Sequence, residues 1–344
     1  MPGHDIVVIG ASAGGVEALA ELFSRIPRDV EASFFVVLHV PDRGTSVLPS
    51  ILSRRGVLPA RHPADGAVIE PGRVYVAPPG HHLLVKRGRV RLVRGPRENG
   101  ARPAVDPLFR TAAAAYGPRV VGVVLSGTLD DGTAGLQAVK ERGGIAVVQD
   151  PDEAMYAGMP RSAVEHVAVD HVLPLARIAP LLVRLAEEAV EDDKGGGDVP
   201  DEHKDEIDAV EMAPQPLHGD DRAGAPSGYT CPECHGALWE VQEGELVRFR
   251  CRVGHAYSVE TLLSEQSTSM EAALWTALQA LEERASLSRG MAERMDRRGH
   301  PRLAARYRAE EAETQARAEL VRRVLLQGGA AGDAEQGAAR SARG

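Results

Sequence analysis

A serine enclosed by small residues lies between an apolar run and an amphipathic segment near the start of the chain. Residues 6–9 are apolar and β-branched, which is typical of a buried strand, and residues 10–15 form a glycine-rich turn. Apolar residues then recur at helical spacing, at Val16, Leu19, Ala20 and Phe23. Such a strand, turn and helix would expose the Ser12 hydroxyl beside backbone N–H groups that stabilise developing negative charge. The pattern fits a nucleophile elbow.

The same turn has a plainer interpretation, because a small-residue turn after a first strand also occurs where a serine is merely solvated. A dinucleotide-binding turn is a third option, but Ser12 occupies the position of the second glycine in G-x-G-x-x-G. The turn alone leaves a nucleophile and a packing turn about equally open. The choice between them depends on partner residues elsewhere in the chain.

A serine nucleophile needs a base and a carboxylate that orients the base. His39 is the best candidate base because it ends the apolar strand of residues 34–38. Three other histidines lie in or beside polar loop stretches, where we expect solvated side chains: His62, His81 and His82. Asp130 and Asp131 follow the apolar strand of residues 120–125, and each could also be a turn residue before a glycine.

Strands alternate with helices over the first 190 residues, and residues 176–190 form a closing helix. This alternation predicts an α/β fold with a mostly parallel sheet covered by helices on both faces. Ser12, His39 and the loop of residues 126–132 each follow the carboxyl end of a predicted strand. Since ligands bind at that edge of such sheets, we expect these residues to meet in one crevice.

Six segments, in the same order and with compatible spacing, resemble the catalytic domain of the chemotaxis receptor methylesterases, the CheB family. They are residues 10–15, 37–41, 75–79, 102–109, 125–135 and 158–163. The resemblance covers residues 5 to about 185. It implies a Rossmann-like methylesterase domain with a Ser12, His39 and Asp131 triad, since the family's aspartate directly precedes the glycine. The order serine, histidine, aspartate differs from that of the α/β-hydrolases.

The resemblance also implies an activity. It is hydrolysis of methyl esters on glutamate side chains of chemoreceptors, with deamidation of receptor glutamines as a further option and no cofactor for catalysis. The expected partners are methylated cytoplasmic helices of these receptors. Better-studied relatives carry an amino-terminal phospho-receiver domain, whereas this sequence starts at the catalytic strand, so we expect no phosphorylation control within the chain. A catalytically idle sheet domain that serves as a signalling scaffold is the alternative, and an esterase of another substrate is a third possibility.

The 344 residues have a net charge of −9, and residues 190–224 hold twelve acidic and three basic residues. The folded parts on either side are therefore close to neutral. No basic face suggests nucleic-acid binding. The sequence shows no signal peptide and no apolar run of about 18 residues, so we expect a cytoplasmic protein that is not embedded in a membrane.

The remaining sequence predicts four further segments. They are an acidic flexible linker at 191–227, a zinc-ribbon-like module at 228–258, a helical hairpin at 259–327 and a disordered tail at 328–344, after a catalytic domain at 1–190. Because a flexible linker joins them, we expect the catalytic domain and the zinc-ribbon-like module to be independent of each other. The apolar stripes of the two helices are expected to form their own core, and they could also mediate dimer formation.

All three cysteines lie in the predicted module. Cys231 and Cys234 are separated by two residues, and after a 16-residue spacer Cys251 and His255 are separated by three. Two close pairs of this kind suit tetrahedral zinc, and four protein ligands would make the site structural rather than catalytic. A reduced hairpin without metal is the alternative. Either way, the site is expected to be remote from the candidate triad.

Overall fold

Seven parallel strands form the central sheet of the computed structural model, which describes residues 3–190, 207, 210, 224–243 and 246–341. The strands are β1 (Ile6–Ala11), β2 (Ser33–Leu38), β3 (Ala60–Arg61), β4 (Arg73–Val76), β7 (Val120–Val124), β8 (Ile145–Gln149) and β9 (His171–Leu173). Their spatial order is β3-β4-β2-β1-β7-β8-β9. The predicted parallel sheet is confirmed. Most of the predicted linker lies outside the described residues.

Helices cover both faces of the sheet, as predicted. They are α1 (Gly15–Ser24), α2 (Leu48–Arg55), α3 (Val105–Tyr116), α4 (Thr133–Glu141), α5 (Gly158–His166) and α6 (Leu175–Glu187). Alternate residues of β1 point to opposite faces. Val7 and Ile9 belong to the core under α1, α2 and α6. Ile6 and Val8 belong to the core under α3, α4 and α5.

An antiparallel hairpin, β5 (His82–Lys86) and β6 (Arg89–Val93), closes the second of these cores. The sequence predicted this hairpin from two short apolar runs around a basic turn. It did not predict α5 or β9, because both are short and follow a loop rather than a clear apolar run. Of the two, β9 forms the sheet edge beside β8.

A four-stranded antiparallel sheet, here called the ribbon, consists of β10 (Ala225–Thr230), β11 (Ala237–Glu243), β12 (Leu246–Cys251) and β13 (Ala256–Ser258). It belongs to the same compact unit as the parallel sheet, Met1–Leu263. A parallel bridge joins Glu98 to Ala256. The expectation of an independent module is therefore wrong, because the ribbon belongs to the same compact unit as the parallel sheet and is bridged to Glu98.

Two long helices follow, α7 (Val259–Arg297) and α8 (Pro301–Ser341). The second compact unit is Ser264–Gly344. Within it, Arg284 pairs with Glu310 and Arg289 with Glu311 across the hairpin. The helix continues through most of the stretch expected to be a disordered tail. Dimer formation through these helices stays a prediction. None of the helices in the described part of the chain has the length and apolar character needed to span a membrane.

Candidate active site

The turn after β1 places Ser12 at the start of α1. Gly14 has a φ of 72°, in the left-handed region that favours glycine, and a Cβ there would lie 2.8 Å from Ser126 Oγ. The Ser12 N–H donates to Ser126 O at 2.9 Å, and Ser126 Oγ donates to Ala13 O at 2.8 Å. The turn is thus fastened to the end of β7. Small residues are required because two backbone segments meet there.

His39 lies between the hydroxyl of Ser12 and the carboxylate of Asp131. Its Nδ1 is 3.1 Å from Ser12 Oγ, and its Nε2 is 2.6 Å from Asp131 Oδ2. An ionised carboxylate only accepts hydrogen bonds, so Nε2 carries the proton and Nδ1 offers its lone pair to the serine. The three residues follow β1, β2 and β7, which are neighbours in the sheet. The predicted crevice at the carboxyl edge therefore brings all three together.

The carboxylate of Asp131 is buried and surrounded by donors. Val105 N–H donates to Oδ2 at 2.7 Å, while Asp106 N–H at 3.2 Å and Asn99 Nδ2 at 2.9 Å donate to Oδ1. Burial alone would raise the pKa of Asp131, but the hydrogen bond and charge of His39 and the bonds from Val105 and Asn99 outweigh it. The pKa lies well below its usual range, and Asp131 stays ionised.

A second buried carboxyl group, Asp106, supports the loop that carries Asp131. Its Oδ1 accepts the N–H groups of Gly132 and Gly135 at 2.9 and 2.7 Å, at the start of α4. Its Oδ2 accepts Asn99 Nδ2 at 2.9 Å. Burial, and next the negative charge of Asp131, raise the pKa of Asp106 to about 7. Sequence reasoning missed Asp106 and Asn99 as supporting residues; the one available signal is the acidic type of Asp106, which the structure places in the first turn of α3.

The other candidates lie elsewhere. His82 is fully buried, with Nε2 at 2.9 Å from Pro96 O, so the expectation of a solvated side chain is wrong for this residue. His62 is half-buried and contacts Val76 O at 2.9 Å. Asp130 accepts the hydroxyl groups of Ser258 and Thr261 rather than contacting His39.

A second cluster of reactive side chains lies in the ribbon. One ligand atom from each of Cys231, Cys234, Cys251 and His255 lies within 4.8 Å of every other, an arrangement that could hold a metal ion. The sulfurs of Cys234 and Cys251 are 3.6 Å apart, and His255 Nδ1 is 3.5 Å from the Cys251 sulfur. Tetrahedral zinc bonds imply separations of about 3.8 Å between sulfurs and about 3.6 Å between sulfur and nitrogen. The four side chains fit such an ion.

The outer nitrogen of His255 supports the same assignment. Its Nε2 lies 3.1 Å from Glu233 Oε2, while Nδ1 points at the thiols. Metal-binding histidines commonly donate their other ring N–H to a carboxylate, which fixes the ring orientation. His235, which the sequence placed outside the ligand set, is exposed.

Comparisons with known proteins cover the sheet domain. Residues 7–182 match the CheB methylesterase family. A Leptospira interrogans relative called putative protein-glutamate methylesterase/protein-glutamine glutaminase is 39% identical over 189 residues, which are 55% of this chain and 98% of the relative. The protein-glutamate methylesterase FrzG of Myxococcus xanthus is 40% identical over 184 residues, 53% of this chain and 55% of its own length.

A solved structure agrees with these matches. The crystal structure of the Thermotoga maritima CheB methylesterase catalytic domain aligns with a TM-score of 0.51 at 35% identity, over 53% of this chain and 98% of that one. The resemblance inferred from the sequence motifs is confirmed. The ribbon and the two long helices lie outside the family match.

Proposed function

Since the chain belongs to the CheB methylesterase family, we propose that it hydrolyses methyl esters of glutamate side chains in chemoreceptors. The observation that carries the proposal is the continuous contact from Ser12 through His39 to the ionised carboxylate of Asp131. An idle scaffold would have no need of a buried, ionised carboxylate aligned on a histidine. We therefore favour the enzyme over the scaffold.

In acylation, His39 Nδ1 takes the Ser12 proton as the serine oxygen attacks the ester carbonyl carbon. Asp131 stabilises the imidazolium that forms and keeps the proton on Nε2. When the tetrahedral intermediate collapses, the carbon–oxygen bond to the methoxy group breaks. The proton passes from Nδ1 to that oxygen, and methanol leaves.

Deacylation repeats the sequence with water. Water attacks the acyl-serine while His39 takes its proton, and the proton then returns to Ser12 Oγ as the glutamate carboxylate is released. With a glutamine substrate, the same first step would release ammonia in place of methanol. The Leptospira relative's name includes both activities.

The negative oxygen of the tetrahedral intermediate needs backbone donors. The N–H of Ser12 is committed to Ser126 O, and that of Gly127 donates to Tyr156 O at 3.0 Å. In the described part of the chain, the amides of Ala13 and Gly14 donate to no acceptor. They lie at the N-terminus of α1, where the helix dipole favours negative charge. We assign the oxyanion-stabilising role to these two amides.

The substrate would be a methylated glutamate on a cytoplasmic receptor helix, so the proposed location is the cytoplasm. The test is methanol release from methylated receptor helices by the full chain. Ser12→Ala should lose activity by about a million-fold. Ser50→Ala, at an exposed serine of α2, should retain it. No release by the folded wild-type chain would favour the scaffold, and equal release by Ser12→Ala would remove Ser12 from the mechanism.

We also propose that the ribbon holds one structural zinc ion through Cys231, Cys234, Cys251 and His255. Thiolate and imidazole ligands favour zinc over hard cations. Four protein ligands leave no open position for a substrate, and the ion would supply folding free energy to a small sheet. Elemental analysis should find one zinc per chain, and its absence would count against the site.

A further inference from the structure

Asn99 links the catalytic carboxylate to the ribbon. Its Nδ2 donates to Asp131 Oδ1 and to Asp106 Oδ2, each at 2.9 Å. On its other side, Oδ1 accepts the backbone N–H of Ser258 at 3.1 Å. Two carboxylates on one side and an N–H donor on the other fix the orientation of the amide. The same side chain therefore contacts the triad and strand β13.

The backbone around Asn99 is also held by β13. The Asn99 N–H donates to Ala256 O at 2.8 Å, and the Ala256 N–H donates to Arg97 O at 3.3 Å. The φ of Asn99 is 51°, an uncommon conformation for a residue other than glycine, which the surrounding bonds maintain. Residues 97–99 thus extend the edge of the ribbon sheet.

Charge provides a second link. Glu98 Oε1 accepts both Arg110 Nη2, at 2.5 Å, and Arg248 Nη2 of β12, at 2.6 Å. Arg248 Nη2 also lies 3.7 Å from Asp106 Oδ2. These side chains are at most 3% exposed. Buried carboxylates are costly without a nearby cation, so the ribbon supplies positive charge to the acidic groups beneath the triad.

A third contact reaches the neighbour of the catalytic aspartate. Ser258 Oγ and Thr261 Oγ1 donate to Asp130 Oδ1 at 2.7 and 3.0 Å. The loop after β7 is therefore held on one side by Asp106 and on the other by Ser258 of β13 and Thr261 of α7. The contact of Ser258 brings the ribbon against the loop that carries Asp131, while the expected remoteness of the metal site from the candidate triad stays a prediction.

We propose that the ribbon supports the hydrolytic centre, with Asn99 and Arg248 as positioning residues that hold Asp131 against His39. The proposal rests on the proposed function. It also gives a reason why the ribbon docks beside the loop that carries Asp131. A displacement of about 1 Å in such a group can lower turnover about 100-fold. Loss of these contacts therefore lowers kcat, while KM for the ester changes little, because neither residue reaches the serine.

The test compares Asn99→Ala, Arg248→Met and Arg248→Lys in the full chain. Arg252→Met, at an exposed arginine of the same ribbon, is the matched control. The first two variants should lose about 100-fold in kcat, with Arg248→Lys intermediate because it keeps the charge. Circular dichroism and metal content identify any variant that has merely failed to fold.

A spectroscopic signal separates positioning from general stability. The N–H at His39 Nε2 donates to Asp131 Oδ2, with 2.6 Å between the nitrogen and the oxygen. Protons in such short hydrogen bonds to carboxylates give strongly deshielded NMR resonances. This resonance should move upfield or exchange away in Asn99→Ala and persist in Arg252→Met. If the wild-type chain releases no methanol, the proposed function fails and the resonance decides the inference. An unchanged resonance in folded Asn99→Ala and Arg248→Met, or kcat within twofold of wild type, would overturn it.

Discussion

Asp106 and Asp131 are held by the same side-chain amide: Asn99 Nδ2 lies 2.9 Å from Oδ2 of the first and 2.9 Å from Oδ1 of the second. Their environments then diverge. Asp131 also contacts His39 and the N-terminal amides of α3, which favour its charged form. Asp106 has a neighbouring negative charge instead, and its pKa is raised. Asp131 is held in its ionised form, whereas Asp106 is the more readily protonated of the two.

Replacing Asp131 should abolish most of the activity without unfolding the chain. Asn at this position would favour the wrong tautomer of His39, and kcat should fall about 10,000-fold. Asp130→Asn is the matched variant, because its amide oxygen can still accept from Ser258 and Thr261. It should lose less than about tenfold, well below the effect of a positioning change. Comparable losses in the two variants would contradict the assignment of Asp131 as the orienting residue.

The raised pKa of Asp106 predicts that the free energy of unfolding depends on pH. Its pKa is about 7 in the folded chain, against an ordinary value of 3.8. The folded state therefore binds a proton that the unfolded state releases. The resulting contribution to the free energy of unfolding is complete below about pH 4 and is lost as pH rises through 7. Asp131 does not oppose it in this window, because its lowered pKa matters only at acid pH.

Between pH 5.5 and 8, the wild-type chain should lose about 2 kcal/mol more in the free energy of unfolding than Asp106→Asn. Denaturant unfolding followed by circular dichroism at both pH values measures the difference. Asp29→Asn, at an exposed aspartate, should behave as the wild type. A stability difference between the wild type and Asp106→Asn that stays constant over this range would show that Asp106 is ionised throughout.

The sequence was sufficient to predict the parallel sheet and the residues that meet at its edge. Buried parallel strands are continuous apolar runs, and residues that follow neighbouring strands must lie close together. Ser12, His39 and Asp131 could be found in this way because each directly follows a strand. The four metal-ligand candidates could be found because their spacing is local.

The docking of the ribbon could not be predicted in the same way. It depends on Arg248 meeting Glu98 and on Ser258 meeting Asn99, pairs that are about 150 residues apart and have no periodic pattern. Isolated polar residues in a sequence are usually solvated, so nothing marked these as buried. For the same reason His82 was expected in solvent, although it is buried against Pro96.

Gly10→Ala should disturb both the core and the triad. A Cβ at this position would lie 2.3 Å from Val105 Cγ1, and the Val105 N–H donates to Asp131. Overpacking of this kind costs about 1–3 kcal/mol in the free energy of unfolding, and kcat should fall as Val105 moves. Gly290→Ala is the control, since nothing lies within 4 Å of the new methyl group in α7. It should stabilise that helix by up to about 1 kcal/mol. If Gly10→Ala left both the free energy of unfolding and kcat unchanged, α3 would be able to shift without cost.

Removal of metal from the full chain should lower the esterase activity as well as the stability of the ribbon. Cys251 ends β12 and His255 ends the turn that leads to β13, whose residues Ala256 and Ser258 hold Asn99. An empty site would release this turn and with it the support of Asp131. We expect activity to fall in proportion to the zinc removed by a strong chelator and to return when zinc is added.

Cys251→Ser should lose both metal and activity. His235→Asn, at an exposed residue beside the ligands with a φ of 59° that asparagine tolerates, should keep both. Full activity in a zinc-free chain would contradict the coupling, whereas a chain that never contains zinc would contradict the metal site itself.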